Sequence, residues 1–310
     1  MKQKVIAIVG PTAVGKTRLS IEVAKKFGGE IISGDSMQVY KGMDIGTAKI
    51  KEEEMAGIPH HMIDIKSPNE DFSVADFQYY VQKYIEEISA RNHIPIIVGG
   101  SGLYIQAVLQ NYNFSKEKRD DALTKRLEDE MNQKGIEPLF DRLKTIDPNQ
   151  AEKIHPNNFR RVLRALEIFE KTGLTMTEYQ KQQASSSPYE SLLIGLEMDR
   201  ELLYKRINQR VDGMVREGLL EEVKGLIEKG YENYQSMKAI GYKELIPYFT
   251  GEVPLETSIE LLKRNSRRYA KRQYTWFKNK MDVNWYELTP STMTEKFNDI
   301  LTDLAGFIES

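Results

Sequence analysis

A parallel α/β fold with helices on both faces of the sheet is predicted by three observations in this 310-residue sequence. Short apolar, β-branched runs alternate with stretches of helical periodicity, which is the pattern of βαβ units. The first run, Val5-Ile6-Ala7-Ile8-Val9, leads directly into Gly10-Pro11-Thr12-Ala13-Val14-Gly15-Lys16-Thr17. Those residues fit G-x-x-x-x-G-K-[ST] between a strand and a helix, the context that makes the spacing a phosphate-binding loop. The core is therefore expected to be P-loop NTPase-like. Residues 116–184 break the alternation: they are highly charged, helically periodic and strandless, so an all-helical domain is expected to interrupt the sheet domain.

The glycines of the loop let backbone N–H groups turn inward around a phosphate. The helix N-terminus adds partial positive charge, Lys16 a full one, and Thr17 a hydroxyl for Mg²⁺. The loop alone does not say which di- or triphosphate is bound. The helix behind it carries Leu19, Val23, Ala24 and Phe27 and ends near Gly28-Gly29. Glu30-Ile31-Ile32-Ser33 reads as a second strand. It opens into a polar loop, Gly34-Asp35-Ser36-Met37-Gln38-Val39-Tyr40, that continues through Gly42, Asp44 and Gly46. His61-Met62-Ile63-Asp64-Ile65 reads as a third short strand. Ser73 caps a helix with apolar Phe77, Val81, Tyr84, Ile85 and Ile88. Ile94-Pro95-Ile96-Ile97-Val98 reads as a buried strand closed by Gly99-Gly100-Ser101-Gly102, with a helix from Leu103. Ligands bind at the carboxyl ends of such strands. The phosphate loop, the Asp35 loop and the Ser101 loop are thus expected to converge.

The helical insertion is expected at 113–188, with the core made of 1–112 and 189–310. Ser185-Ser186-Ser187-Pro188 reads as a linker, and Leu192-Leu193-Ile194-Gly195-Leu196 resumes the sheet. Helices are expected over 200–217, 219–229 and 255–280, then a strand at Val283-Asn284-Trp285-Tyr286 and a closing helix.

The formal net charge of −2 means that nucleic-acid affinity must come from local basic patches. Zero cysteines exclude disulfides, thiolate metal sites and a cysteine nucleophile. The histidines (His60, His61, His93 and His155) show no metal-ligand spacing. The start, Met1-Lys2-Gln3-Lys4, runs into an apolar stretch too short for a signal peptide or membrane span. A cytoplasmic monomer with no membrane partner is expected.

Asp35, on the loop after the second strand, is a candidate general base or holder of a Mg²⁺-bound water, against a plain turn-capping aspartate. The strand Ile94 to Val98 ends in glycine rather than the aspartate of a motor ATPase; the Ile63-Asp64 pair is a weaker substitute. Residues 261–281 hold eight Lys/Arg and no acid, interleaved with Tyr269, Tyr274, Trp276 and Phe277. Charge for phosphates and flat rings for unstacked bases favour a nucleic-acid surface over a merely solvated helix face. A second basic cluster, His155, Arg160, Arg161 and Arg164, reads equally as a salt-bridge face or a binding site. Arg210 reads as a surface arginine unless its helix packs beside the phosphate loop.

Taken together these segments resemble the bacterial tRNA dimethylallyltransferase (tRNA isopentenyltransferase) family. The matching stretches are Gly10 to Thr17, Ser33-Gly34-Asp35-Ser36-Met37-Gln38-Val39-Tyr40 and Met43-Asp44-Ile45-Gly46-Thr47-Ala48-Lys49. They continue through Gly99-Gly100-Ser101-Gly102-Leu103-Tyr104, His155-Pro156-Asn157 to Arg164-Ala165-Leu166-Glu167, Ala239-Ile240-Gly241-Tyr242 and Lys271-Arg272-Gln273-Tyr274-Thr275-Trp276-Phe277. The zinc-finger extension of eukaryotic relatives is missing, in keeping with the absence of cysteine.

The resemblance implies transfer of a dimethylallyl group from dimethylallyl diphosphate to the exocyclic amine of the adenosine just 3′ of the anticodon. It implies that Gly10, Pro11, Thr12, Ala13, Val14, Gly15, Lys16 and Thr17 hold the prenyl diphosphate, with Mg²⁺ on Thr17 as cofactor. It further implies that Lys16, Thr17 and Arg210 act on the leaving diphosphate and that Asp35 takes the amine proton. Asp35, Ser36, Met37, Gln38 and Ser101 would line the pocket for the flipped base. Arg160, Arg161 and Arg164, with Lys271, Arg272, Gln273, Trp276 and Lys278, would grip the anticodon stem-loop of the tRNA partner. Near position 124, where relatives present a basic residue, this chain has Thr124-Lys125-Arg126, and that contact is not carried over. The competing readings are a P-loop small-molecule kinase or NTPase, a prenyl transferase acting on free adenine nucleotides, and a non-catalytic RNA-binding protein with a vestigial loop.

Overall fold

The computed structural model describes residues 2–112, 114, 120–182 and 187–310, apart from the side chain of Asp121. It divides into two compact units, one of Met1–Leu109 with Ser187–Ser310 and the other Gln110–Ser186. The turning point expected near Asn113 and the Ser185-Ser186 part of the expected linker lie outside the described residues.

The first unit is built on six parallel strands. In chain order they are β1 (Gln3–Val9), β2 (Gly29–Ser33), β3 (His60–His61), β4 (Ile94–Gly99), β5 (Tyr189–Glu197) and β6 (Asn284–Glu287). Their spatial order is β3-β2-β4-β1-β5-β6, so β1 lies at the centre, between β4 and β5. Alternate residues of β1 supply two cores, as a pleated strand requires. Val5, Ala7 and Val9 pack on one face with Phe77, Val81 and Ile85 of α2 (Val74–Ala90) and Ile105 and Val108 of α3 (Gly102–Leu109). Ile6 and Ile8 pack on the other with Leu19 and Val23 of α1 (Lys16–Phe27). Strands buried on both faces read as continuous apolar runs, which is why β1 and β4 were legible.

The helix boundaries follow local chemistry. Ser73 caps α2 through the Asp76 N–H, and the Asp76 carboxylate returns a bond to the Ser73 N–H, a reciprocal capping box. Gly28, at φ 65°, ends α1. The expected third strand is shorter than its apolar pattern suggested. Met62 and Asp64 sit at φ 65° and 54°, which breaks the extended run after His61. Away from the phosphate loop, Glu30 on β2 is buried between a bidentate Arg91 (Nε 3.0 Å, Nη2 2.8 Å), His61 Nε2 and His93 Nδ1 (both 2.7 Å). These charged bonds outweigh burial and hold the Glu30 carboxyl down at about 2.

After β5, Asp199 caps α9 (Arg200–Arg216), which is followed by α10 (Leu219–Glu228). The long helix α12 (Leu255–Lys280) starts after Pro254, and α13 (Met293–Glu309) closes the chain. A short helical turn, α11 (Ile246–Phe249), lies between α10 and α12.

The second unit has helices and no strand among its described residues: α4 (Asp121–Lys134), α5 (Glu137–Ile146), α6 (Pro148–Ala151), α7 (Phe159–Thr172) and α8 (Met176–Gln182). Its own core joins Leu127, Leu139, Leu143, Val162, Leu163 and Leu166. On α7, Val162, Leu163 and Leu166 face that core while Phe159 is exposed, and Arg160, Arg161 and Arg164 lie exposed on the other side.

Candidate active site

The phosphate loop needs its glycines at specific points. At Gly10 (φ 141°) a Cβ would lie 2.6 Å from the Leu196 carbonyl of β5, and Gly15 stands at φ 116° before α1 begins. The Lys16 Nζ folds back over its own loop, donating to the carbonyls of Gly10 at 3.0 Å and Pro11 at 2.7 Å. Burial, and then the charge of Arg210, bring the Lys16 ammonium down to about 7, against the opposing pull of Asp35. Arg210 reaches the same loop from α9, with its Nη1 donating to Thr12 Oγ1 at 3.3 Å. The expectation of a surface arginine is thus overturned. Leu203, Ile207 and Val211 are buried, so the face of α9 at that spacing is turned to the interior and carries Arg210 with it. That spacing was present in the sequence and would have found it.

On the acceptor side, the chain leaves β2 at Ser33, and Asp35 folds into a turn in which Oδ1 accepts the Met37 N–H at 2.8 Å. Burial pushes the Asp35 carboxyl up, against the lowering effects of the Met37 N–H, Lys16, the Gln38 N–H and Arg210. Ser101 Oγ accepts the Ser36 N–H at 3.1 Å, so the two loops that were expected to converge are bonded to each other. Gln38 Oε1 accepts from the Ser33 hydroxyl at 2.8 Å, and its Nε2 donates to the carbonyls of Thr47 and Ala48 at 3.3 and 3.4 Å.

The basic segment of α12 is only partly displayed. Lys271, Arg272 and Lys278 are exposed, and Arg272 stacks over Tyr269 with its guanidinium 5.5 Å from the ring centre. Lys278 is already paired with Glu197 at 2.5 Å. Gln273 and Trp276, expected on the RNA-gripping surface, are turned inward. Gln273 Oε1 accepts the Thr12 N–H at 3.0 Å and its Nε2 donates to the Gly100 carbonyl at 3.2 Å. Trp276 lies against Gly102, where a side chain would collide with its indole. Phe277 is wholly buried, and the Tyr274 hydroxyl accepts the Met198 N–H at 2.9 Å. Helix periodicity explains the split, because residues 273 and 277 share the face of α12 turned to the interior. Tyr269, one of the rings interleaved with the basic residues, lines the cavity, and burial and then Asp35 push its phenol up to about 12.

One cavity of about 610 Å³ is lined by residues of the phosphate loop, the Asp35 loop and the Gly99-Gly100 turn together with α9 and α12; Ser101, expected in the lining, lies behind it, bonded to Ser36. Thr12, Lys16, Thr17 and Arg210 form its anion-binding end, with Asp35 and Gln38 beside them. Ile63, Val211, Met214, Ile240 and Leu262 give it apolar wall. Gly10, Pro11 and Val14 form the back of the loop rather than the lining. In the second unit, Arg164 pairs with Glu167 at 3.3 Å, and the buried Thr124 hydroxyl donates to the same Glu167 at 2.8 Å. Thr124 is therefore a packing residue there, unlike a basic contact.

The model of the IPP transferase family matches residues 38–280. This chain belongs to that family. A "tRNA dimethylallyltransferase" of Oceanobacillus iheyensis is 62% identical over 309 residues, covering 100% of this chain and 99% of the relative. A relative of the same description from Bacillus pumilus is 56% identical, covering 98% of this chain and 96% of its own. Among solved structures, the full-length tRNA isopentenylpyrophosphate transferase of Bacillus halodurans matches with a TM-score of 0.76 at 52% identity, over 99% of this chain and 97% of that one. A eukaryotic dimethylallyltransferase described as acting on tRNA matches with a TM-score of 0.83 at 34% identity, over 97% and 80%. The phosphate loop lies before the matched family segment, but the near-complete coverage of the relatives includes it.

For an IPP transferase with this cavity, the donor set for Mg²⁺ is sparse. Among the described residues no group of three His, Cys, Asp or Glu could hold a metal. Thr17, exposed at the anion-binding end, offers a hydroxyl that suits an ion held largely by substrate oxygens and water, the usual habit of Mg²⁺. Among the described residues no helix is long and apolar enough to cross a membrane.

Proposed function

We infer that this chain transfers a dimethylallyl group from dimethylallyl diphosphate to the N6 amine of the adenosine 3′-adjacent to the anticodon of tRNA, releasing diphosphate. One observation carries the reading: a phosphate loop and a half-buried carboxylate, Asp35, open into the same cavity beside an apolar wall. The loop N–H groups, Lys16 and Arg210 receive the charge that grows on the departing diphosphate. The C–O bond of the donor breaks as the N6–C bond forms, and Asp35 takes the proton that the amine sheds. A carboxyl pushed up by burial is a stronger base than an ordinary aspartate. Mg²⁺, held by Thr17 and the diphosphate, would supply further stabilisation of that charge.

The target base must leave its stack to reach Asp35. Ser36, Met37, Gln38 and Ser101 shape the acceptor side, and Lys271 and Arg272 offer exposed charge for tRNA phosphates, as do Arg160, Arg161 and Arg164 of the second unit. The enzyme is proposed to act as a cytoplasmic monomer. The test is incubation of the purified protein and Mg²⁺ with unmodified tRNA and radiolabelled dimethylallyl diphosphate. Label on tRNA, absent from free AMP and lost when EDTA removes the ion, is the expected result. Hydrolysis of a nucleotide without transfer would overturn the reading.

A further inference from the structure

A carboxylate outside the reaction site holds together a turn that the site depends on. Glu222, in the first turn of α10, accepts three consecutive backbone N–H groups. Asp44 and Ile45 donate to Oε2 at 2.9 and 2.8 Å, and Gly46 donates to Oε1 at 3.0 Å. The Tyr242 hydroxyl completes the set, donating to Oε1 at 2.6 Å. The Tyr242 ring is wholly buried and lies over Gly46, where a Cβ would come within 2.6 Å of it. Gly241 approaches from the same side at φ 107°, with its N–H on Glu244 at 2.9 Å, and Asn265 of α12 holds the other Glu244 oxygen at 2.9 Å.

At its far end the same turn presents two carbonyls, those of Thr47 and Ala48, to the Gln38 amide. Gly46, Thr47 and Ala48 also line the cavity. The side chain of Gln38 has two ends, and the turn fixes which is which. With Nε2 on the turn, Oε1 is left to the Ser33 hydroxyl.

We propose that Glu222, backed by Tyr242, is a positioning residue that sets the orientation of the Gln38 amide in the acceptor side of the cavity. It touches neither substrate and acts through the 44–48 turn. Loss of its charge unpairs backbone donors at one end of the turn and frees the carbonyls at the other. The effect on turnover rests on the transfer reaction proposed above; the geometric part does not.

The test is a double-mutant cycle of Glu222→Gln with Gln38→Ala, read as kcat and KM for tRNA and for the diphosphate. Hydrogen exchange at the amides of 44–46 is measured alongside. Glu222→Gln is expected to lower kcat by roughly 10- to 100-fold while KM for the diphosphate stays put, because the phosphate loop is untouched. The double variant should turn over no more slowly than Gln38→Ala alone, and the three amides should lose protection. Parental turnover in Glu222→Gln, or losses that multiply in the double variant, would overturn the proposal. So would unchanged amide protection, whatever the activity. A parent that transfers no label sinks the reaction reading alone, and the exchange result still decides the positioning. Should Glu222→Gln fail to fold, Tyr242→Phe keeps the ring, removes one donor and enters the same cycle.

Discussion

Gln273 and Thr12 are joined across the catalytic unit: the amide oxygen of one accepts the backbone N–H of the other at 3.0 Å, while the amide nitrogen holds Gly100. One side chain from α12 therefore sets the separation between the donor loop and the acceptor loop. Gln273→Leu leaves a backbone donor and a buried carbonyl without partners, at a cost of about 1–3 kcal/mol each. The thermal midpoint should fall, and KM for the diphosphate should rise together with a lower kcat. A fall in midpoint with unchanged kinetics would reduce Gln273 to a packing role.

Asp35→Asn should lower single-turnover transfer by about 10² or more, with tRNA affinity nearly unchanged. The rising limb of the pH profile is expected to come from the same carboxyl. Burial raises its pKa, so the base form disappears as pH falls through a value above the usual aspartate range. The limb should therefore vanish in Asp35→Asn, and a single-turnover rate equal to that of the parent would refute the assignment.

The falling limb is expected to come from Lys16. Its ammonium is held down at about 7, so charge on the loop is lost as pH rises through that value, and kcat/KM for the diphosphate should decline above it. Lys16→Arg keeps the charge at every accessible pH and should flatten the limb. Arg210→Ala should move the limb upward, because Arg210 helps to lower Lys16, even as KM rises by about 10–100-fold through loss of a charged hydrogen-bonding partner. A limb that stays in place in both variants would exclude Lys16 as its source.

Salt dependence separates the exposed cations. Arg272→Ala should reduce the log–log slope of tRNA binding against salt by about 0.7–0.9 for the contact removed. Lys278→Ala should change it less, since Lys278 already neutralises Glu197. Equal slopes for parent and Arg272→Ala would remove this helix from the tRNA footprint.

Glu30 offers a stability test away from the chemistry. Glu30→Gln leaves a half-exposed Arg91 and two histidines facing a neutral amide and should cost about 1.5–3 kcal/mol at pH 7, the worth of a hydrogen bond to a charged group. The folded carboxyl titrates at about 2, below its usual 4.5, so the stabilisation is complete above 4.5 and is lost as pH falls through 2. Denaturant unfolding should show the gap between parent and variant closing over that window. A gap independent of pH would mean that packing rather than charge is at stake.

Much of this was legible in the chain. The phosphate loop announces itself because glycine, lysine and threonine must sit at fixed offsets. Helix α12 shows both ends, with Pro254 before it and an apolar period that stops at Phe277. The site's inner wiring was less visible. Gln273 bonds to a backbone N–H and a backbone carbonyl, and neither partner leaves a mark in the residue sequence. Glu222 likewise binds three main-chain groups. Arg210 was recoverable from the period of α9, whereas the shortness of β3 was not, because positive φ at Met62 and Asp64 is set by tertiary packing.

The central pairing of the sheet has a consequence for biosynthesis. Residue 3 of β1 pairs with residue 189 of β5, so the innermost strand waits for a partner from beyond the whole helical insertion. At ribosomal speed that wait lasts roughly 10–40 s. Until then the nascent chain carries β1 as an open edge, with one side of its ladder unpaired. The helical unit needs no strand from elsewhere and can condense on its own local contacts, which makes it the natural first-formed structure behind a half-built sheet.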